Sequence, residues 1–373
     1  MYDIIIIGGG PSGASAGRKA GMLGLNTLLL EKEEFPRYKP CGGGLSNHAA
    51  SYLGFELPNN IIDKEITGAR VLFKDHVVEV HKDCRLSFLV SRDTFDNFLL
   101  EKAKESGITV HTGEKALSCR ERPDCVEVKT LNNTYLSKFL ILAEGAHGLL
   151  KTCVRPADTK EEYGICMVTE VPAFEKEIEE RLGKTVELHF GIAEGGYGWI
   201  FPHKNYYSVG IGGGTKTLEH PKKKMLAFLE ANGFTGEYNL HGHKIPWGGL
   251  KRKVFGSRTL LCGDAAGFVD SFSGEGLAYA IRSGQLAAEV LGEICLKEEE
   301  KIKDLRKYEA LCQKEFGVHL KYSLMFSKTM HKFPDKAFRI FTSSDKFLDK
   351  YLEVMNFRMN YKDYLRWTLL HLK

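Results

Sequence analysis

The sequence predicts a mixed α/β (α+β) chain. A parallel-sheet domain is interleaved with an antiparallel-sheet domain, and a helical C-terminal region follows. Three observations predict this. An apolar run, Ile4 to Ile7, breaks into GGGPSG, then into a helix pattern and a second apolar run, TLLL, which together make a βαβ opening. From about residue 161 to 250, aromatic and apolar residues alternate, as expected of antiparallel strands. From about residue 275 the pattern turns helical and stays so to the end.

The elements follow in order. Residues 2–7 form a fully buried strand, 13–24 a helix with small residues on one face, and 26–30 a second buried strand ending at Glu31. A loop, FPRYKPCGGGLS, leads to a short helix near 46–53. Residues 69–90 are strands with a turn at Lys74-Asp75. Residues 92–106 are a helix whose apolar positions include Phe95, Phe98, Leu99 and Ala103. Strands follow near 108–111, 115–120, 125–130 and 135–142. The alternating region contains a helix near 221–232, after which 259–262 returns as a short buried strand and about 275–295 is a long helix. The expected division is 1–65, 91–155 and 255–320 for a discontinuous Rossmann-like domain, 66–90 and 156–254 for the antiparallel domain, and 321–373 for the helical region.

Composition excludes several classes. A net charge of +4 over 373 residues argues against nucleic acid as a partner. The nine cysteines contain no CxxC pair and no zinc-like grouping, so no metal is expected and the thiols suit a reducing cytosol. The first strand begins at Tyr2, leaving no room for a signal peptide, and no apolar run approaches the ~20 residues that span a bilayer. The expectation is a cytoplasmic protein, with contact at a membrane surface left open.

Gly8-x-Gly10-x-x-Gly13 follows a strand and opens a helix, and Glu31 ends the next strand. This is the dinucleotide fingerprint in its required context. Gly8 permits the tight turn, Gly10 lets backbone approach a pyrophosphate, and Gly13 lets helix and sheet pack closely. The helix N-terminus attracts the phosphates, while Glu31 accepts from a ribose 2′-OH and would repel a 2′-phosphate. A second turn reads LLCGDAAGFVDSFSGEGLAYA. Here a buried strand delivers Gly263-Asp264, and a helix opens near Gly276-Leu277. Asp264 can accept from ribityl hydroxyls, and the helix N–H groups can face the N1/C2=O edge of a flavin. An ordinary strand-turn-helix with an Asp cap has the same local pattern.

Four segments, GGGPSG, SRDTFDNFLL, LILAEGAHG and CGDAAGFVDSFSGEG, resemble the flavoprotein fold shared by p-hydroxybenzoate hydroxylase and geranylgeranyl reductases, and they bracket most of residues 1–290. Two further motifs, FPRYKPCGGG and GYGWIFP, resemble the geranylgeranyl reductase branch. The resemblance implies FAD as cofactor, with Arg92 reaching the pyrophosphate or ribityl region, backbone near Ala116 meeting the adenine, and Cys41, Gly42 and Gly44 lying against the flavin ring. It also implies saturation of isoprenoid double bonds, with electrons from an outside donor, either NAD(P)H or a ferredoxin-like carrier. Cys41 is the expected thiol near the reacting carbon, or a small loop cysteine without chemistry. Tyr197, Trp199 and Phe201 share one strand face and are expected either to roof an apolar cavity or to fill a core. Tyr197 is the expected proton donor, and His203 the expected solvated end of that strand.

The chain departs from the family pattern at three points. Glu144 stands where ADG would place aspartate, AHGLLKT replaces the usual following residues, and Ser271 stands where proline is common. Rival activities are an aromatic-ring monooxygenase of the same fold and a non-catalytic flavin-binding redox module. A halogenase would need Trp at position 197. Residues 319–373 carry eleven Lys/Arg against five Asp/Glu, interleaved with Phe, Leu, Met and Tyr. Such a segment suits a helical cap with a solvated basic face, or a surface lying against anionic lipid.

Overall fold

A computed structural model describes residues 1–296 and 304–371. Ile4, Ile5 and Ile6 are wholly buried, which only a central strand covered on both faces can achieve. Strand Tyr2–Ile7 accordingly lies inside a seven-stranded sheet, parallel to Thr27–Leu30 on one side and to Thr134–Leu142 on the other. Strand Thr109–His111 extends the sheet beyond Thr27–Leu30. The C-terminal half of Thr134–Leu142 carries Thr259–Leu261 in parallel, while its N-terminal half carries Val126–Lys129 and then Ser118–Glu121 as an antiparallel meander. The strand expected from residue 115 starts only at Ser118, and Lys115, Ala116 and Leu117 instead line the cavity described below. Helix Pro11–Met22 packs between helices Arg92–Glu105 and Leu277–Leu296.

The second seven-stranded sheet has the order His241–Pro246, Tyr163–Pro172, Tyr206–Gly214, Tyr197–Pro202, Thr185–Phe190, Gly68–Phe73, His76–His81. Every described pair in it is antiparallel except one. Thr185–Phe190 runs parallel to Gly68–Phe73, which corrects the expectation of a purely antiparallel sheet. The chain between these two strands runs through the first sheet, so no hairpin turn dictates their direction. Gly44–Ser46, Ser87–Leu89 and Lys64–Ile66 form a small sheet of their own.

The C-terminal helices cover the Gly68–Phe73 end of the second sheet. Phe338 stacks on Phe190 at 4.4 Å and lies 5.4 Å from Phe73, while Phe326, Phe341, Tyr351 and Tyr361 join the same buried cluster. Such ring pairs add about 0.5–1.5 kcal/mol each beyond the area they bury. The expected division at residues 320 and 321 falls inside a continuous helical run. Arg306–Cys312 passes through a π-turn, Gln313–Gly317, into Val318–Lys332.

Candidate active site

Both glycine-rich turns open onto one cavity of about 1070 Å³. At the end of Tyr2–Ile7, Gly8 has φ +105°, and a Cβ there would meet the Ala143 carbonyl oxygen at 2.3 Å. A Cβ on Gly13 would fall 1.8 Å from the Gly8 oxygen. These approaches seat the first turn of helix Pro11–Met22 against the sheet, with no acidic residue in that turn to compete for an anion. Gly10 faces open space, its nearest neighbour being Arg37 Nη2 at 3.7 Å from the Cβ position. Glu31 lines the cavity and accepts from the backbone N–H groups of Gly9 (2.6 Å) and Glu33 (2.9 Å). A carboxylate has lone pairs beyond those two, so hydroxyl donors remain within its capacity.

Asp96 is wholly buried and gathers two arginines. Arg92 donates to it from Nε (2.7 Å) and Nη2 (2.9 Å), and Arg37 from Nη2 (2.8 Å). Burial lowers the Arg92 pKa, but Asp96, followed by Cys41, more than reverses this, so Arg92 stays charged. Arg37 Nη1 is buried without a hydrogen-bond partner, although Arg37 lines the cavity. An orphaned buried donor costs about 1–3 kcal/mol, a cost an anionic ligand would remove. Lys32, Lys39, Lys115 and Lys244 border the same end, and the neighbouring His243 is pushed down to about 2 by burial and then by the Lys39 ammonium. The open Gly10 position, the orphaned guanidinium and the cationic border fit a dinucleotide diphosphate.

In the middle of the cavity, Cys41, Gly42, Gly43 and Gly44 form one wall, with Asp264 and the helix start at Gly276-Leu277 also lining it. The two turns are separated by more than two hundred residues of chain, and the first sheet unites them because Thr259–Leu261 pairs with Thr134–Leu142. Cys41 Sγ accepts from Gly43 N–H at 3.4 Å. Tyr197, Trp199 and Phe201 all reach the cavity. The Trp199 indole N–H donates to Ser208 Oγ (3.3 Å), which donates to the Cys41 carbonyl (3.3 Å), so the aromatic strand holds the Cys41 loop in place. Tyr197 donates its hydroxyl proton to the Ser273 carbonyl, and burial, reinforced by Asp270, raises its pKa. The expected proton donor is thus committed to backbone. His203 is not solvated but 1 % exposed, bridging the Gly42 carbonyl (3.1 Å) and the Asp63 carboxylate (2.8 Å). The loop and a short strand end close over it.

Residues 1–207 match the FAD binding domain family. An uncharacterised protein of Methanosarcina barkeri is 32% identical over 78% of this chain and 74% of its own length. Digeranylgeranylglycerophospholipid reductase 1 of Methanococcoides burtonii is 27% identical over 96% of this chain and 91% of its own length. The crystal structure of a geranylgeranyl bacteriochlorophyll reductase-like protein from Thermoplasma acidophilum superposes with a TM-score of 0.81 at 22% identity, over 99% of this chain and 96% of that one. The family match spans more than half of the chain, which therefore belongs to the FAD binding domain family. It is an FAD-dependent enzyme.

The departures from the family pattern have structural consequences in this flavoenzyme. Glu144, one methylene longer than aspartate, accepts from the N–H groups of Leu150 (3.2 Å) and Lys151 (2.7 Å) and so caps the short helix Leu150–Cys153. Ser271 has the N–H that proline lacks, and donates it to Ser323 Oγ (3.0 Å), tying the loop before helix Leu277–Leu296 to helix Val318–Lys332. Two cavity residues escaped sequence reasoning. Arg37 stood in the FPRYK motif, which was read only for its likeness to the reductase branch; an arginine and a lysine leading into a glycine run are the signal that would have found an anion site. Glu275 lies between glycines, and nothing local marks its partner, Ser46 Oγ.

Proposed function

We propose that this protein uses reduced FAD to saturate C=C bonds of a geranylgeranyl-type isoprenoid lipid. The observation that carries this reading is continuity. The cavity that begins at the glycine turns runs past Cys41 and Trp199 into a chamber walled by Phe190, Phe341, Leu348, Tyr351, Leu352 and Met355. Its volume exceeds the ~300–1,000 Å³ usual for one small ligand, leaving room for a dinucleotide and an apolar chain together. The isoprenoid-reductase names among the relatives support the same substrate class.

Gly8, Gly10, Gly13, Arg37 and Arg92 would hold the diphosphate, Glu31 the adenosine ribose, backbone at Ala116 the adenine, and Asp264 with the Gly276-Leu277 turn the ribityl and ring. Bound FAD supplies hydride transfer, recharged by an outside donor. An unactivated alkene accepts hydride poorly, so the chain's own contribution is alignment in a dry chamber. The Tyr197–Ser273 contact and the Trp199–Ser208–Cys41 chain together fix the aromatic wall of that chamber and the loop beside it. Cys41 stands where it can touch the reacting segment. The cationic border at the nucleotide end suits a negatively charged donor, NAD(P)H or a ferredoxin-like carrier.

The lipid is delivered from a membrane surface. Lys321, Met325, Lys328, Lys332 and Phe333 form an exposed stripe at the helical spacing, and Arg366, Leu369 and Leu370 are exposed on the helix packed beside it. No described helix is long and apolar enough to cross a membrane. Two measurements test the whole. Anaerobic mixing of reduced protein with geranylgeranyl lipid should reoxidise the flavin and add one H₂ per double bond by mass spectrometry. Oxygen consumption coupled to ring hydroxylation would instead establish a monooxygenase, and no turnover with either a binding module. Flotation should show binding to anionic and not to zwitterionic vesicles.

A further inference from the structure

Alkene saturation adds hydride to one carbon and a proton to the other, so an acid must stand at the chamber. Glu31 and Glu144 are occupied with backbone N–H groups at the nucleotide end, and Tyr197 is committed to the Ser273 carbonyl. Glu275 is placed differently. Its loop carries Phe272 into the apolar cluster, and a Cβ on Gly274 would lie 3.5 Å from the Tyr197 hydroxyl. The backbone of Glu275 is pinned, its N–H donating to Ser273 Oγ (3.2 Å) and its carbonyl accepting from Asp270 N–H (2.9 Å).

The Glu275 side chain crosses to the end of the Gly44–Ser46 strand, where Oε1 accepts the Ser46 hydroxyl. Ser46 Oγ already accepts Ala49 N–H (3.1 Å), so its one proton is directed at Glu275. Both residues line the cavity where the loop before helix Leu277–Leu296 meets the chamber. The titratable groups facing Glu275 are Asp270, Tyr52 and Tyr279, none of them a cation that would hold the carboxyl ionised. Burial, with Asp270, pushes it up to about 7. A neutral carboxyl in such a place has both the proton and the position of a general acid.

We propose that Glu275 is the acid that protonates the alkene, a role that rests on the reductase reading. The alkene π pair takes the proton from the Glu275 O–H as hydride from the reduced cofactor closes on the other carbon. The carboxylate left behind recovers its proton from water, so one hydride and one proton are consumed per bond.

Glu275→Gln keeps an acceptor for Ser46 and removes the proton, while Glu275→Asp keeps an acid. FAD-loaded proteins, reduced with dithionite and mixed anaerobically with geranylgeranyl lipid micelles, report flavin reoxidation. Urea unfolding of the same FAD-loaded proteins against pH, without lipid, reports the ionisation of the carboxyl itself. The wild-type rate should fall as pH rises through about 7, and the wild-type stability relative to Glu275→Gln should fall between about pH 4.5 and 7. Glu275→Gln should be roughly 100-fold slower or more, and Glu275→Asp should retain both the pH-dependent rate and the pH-dependent stability. A glutamine variant that reoxidises at the wild-type rate, or a stability difference that does not change with pH, overturns the role of Glu275 alone. A wild type that lipid cannot reoxidise overturns the reductase reading, and this role falls with it.

Discussion

Replacing Glu275 with glutamine should make the protein more stable in mild alkali and leave it little changed in acid. The native carboxyl holds its proton up to about 7, against an ordinary value of 4.5. Between those values the folded chain binds more protons than the unfolded one, so stability falls as pH rises through that window and the loss is complete above it. A span of about 2.5 units at ~1.4 kcal/mol each gives about 3 kcal/mol carried by the wild type at pH 8 and absent from the glutamine variant. For 373 residues, with an unfolding entropy of about 2.1 cal/mol/K per residue, that is a Tm rise of about 4 °C. Thermal and urea unfolding of both FAD-saturated proteins, from about pH 4.5 to pH 8, would measure it. A constant difference across the range would mean that Glu275 ionises at its ordinary value, and the buried-acid argument would fail.

Gly10→Val should fold with wild-type circular dichroism yet lose its yellow FAD absorbance, because the side chain enters open space where the diphosphate must approach; an FAD-replete variant would move the nucleotide elsewhere. Asp96→Asn leaves two partly buried arginines without their carboxylate and should cost about 3–5 kcal/mol by denaturant titration, a neutral result placing the guanidinium charges in solvent. Trp199→Ala removes the chamber wall and its hydrogen bond to Ser208, so the pattern of reduced double bonds, read by mass spectrometry, should broaden; an unchanged pattern would locate the alkene away from this wall.

Much of the architecture was legible along the chain. The isoleucine run, the glycine spacing and the helix at 92–106 are local patterns, and Tyr2–Ile7, Pro11–Met22 and Arg92–Glu105 formed close to their expected bounds. The FAD family could be read from motifs because phosphate binding demands bare backbone in a set order. The site's hydrogen bonds could not. A histidine at the end of a strand reads as solvated whether or not a loop closes over it, and His203 is covered by a carbonyl 161 residues away in sequence.

The amino-acid order alone determined the βαβ opening, the two glycine-rich turns and the aromatic face of Tyr197–Pro202, since these depend on side-chain periodicity and on glycine's missing Cβ over short spans. Only the folded chain decided that Thr185–Phe190 pairs in parallel with Gly68–Phe73, that Tyr197 spends its proton on Ser273, and that Glu275 meets Ser46 across 229 residues. Each of those depends on which surfaces chain closure brings together and on how much water it removes from between them, and neither quantity is written in any short stretch of sequence.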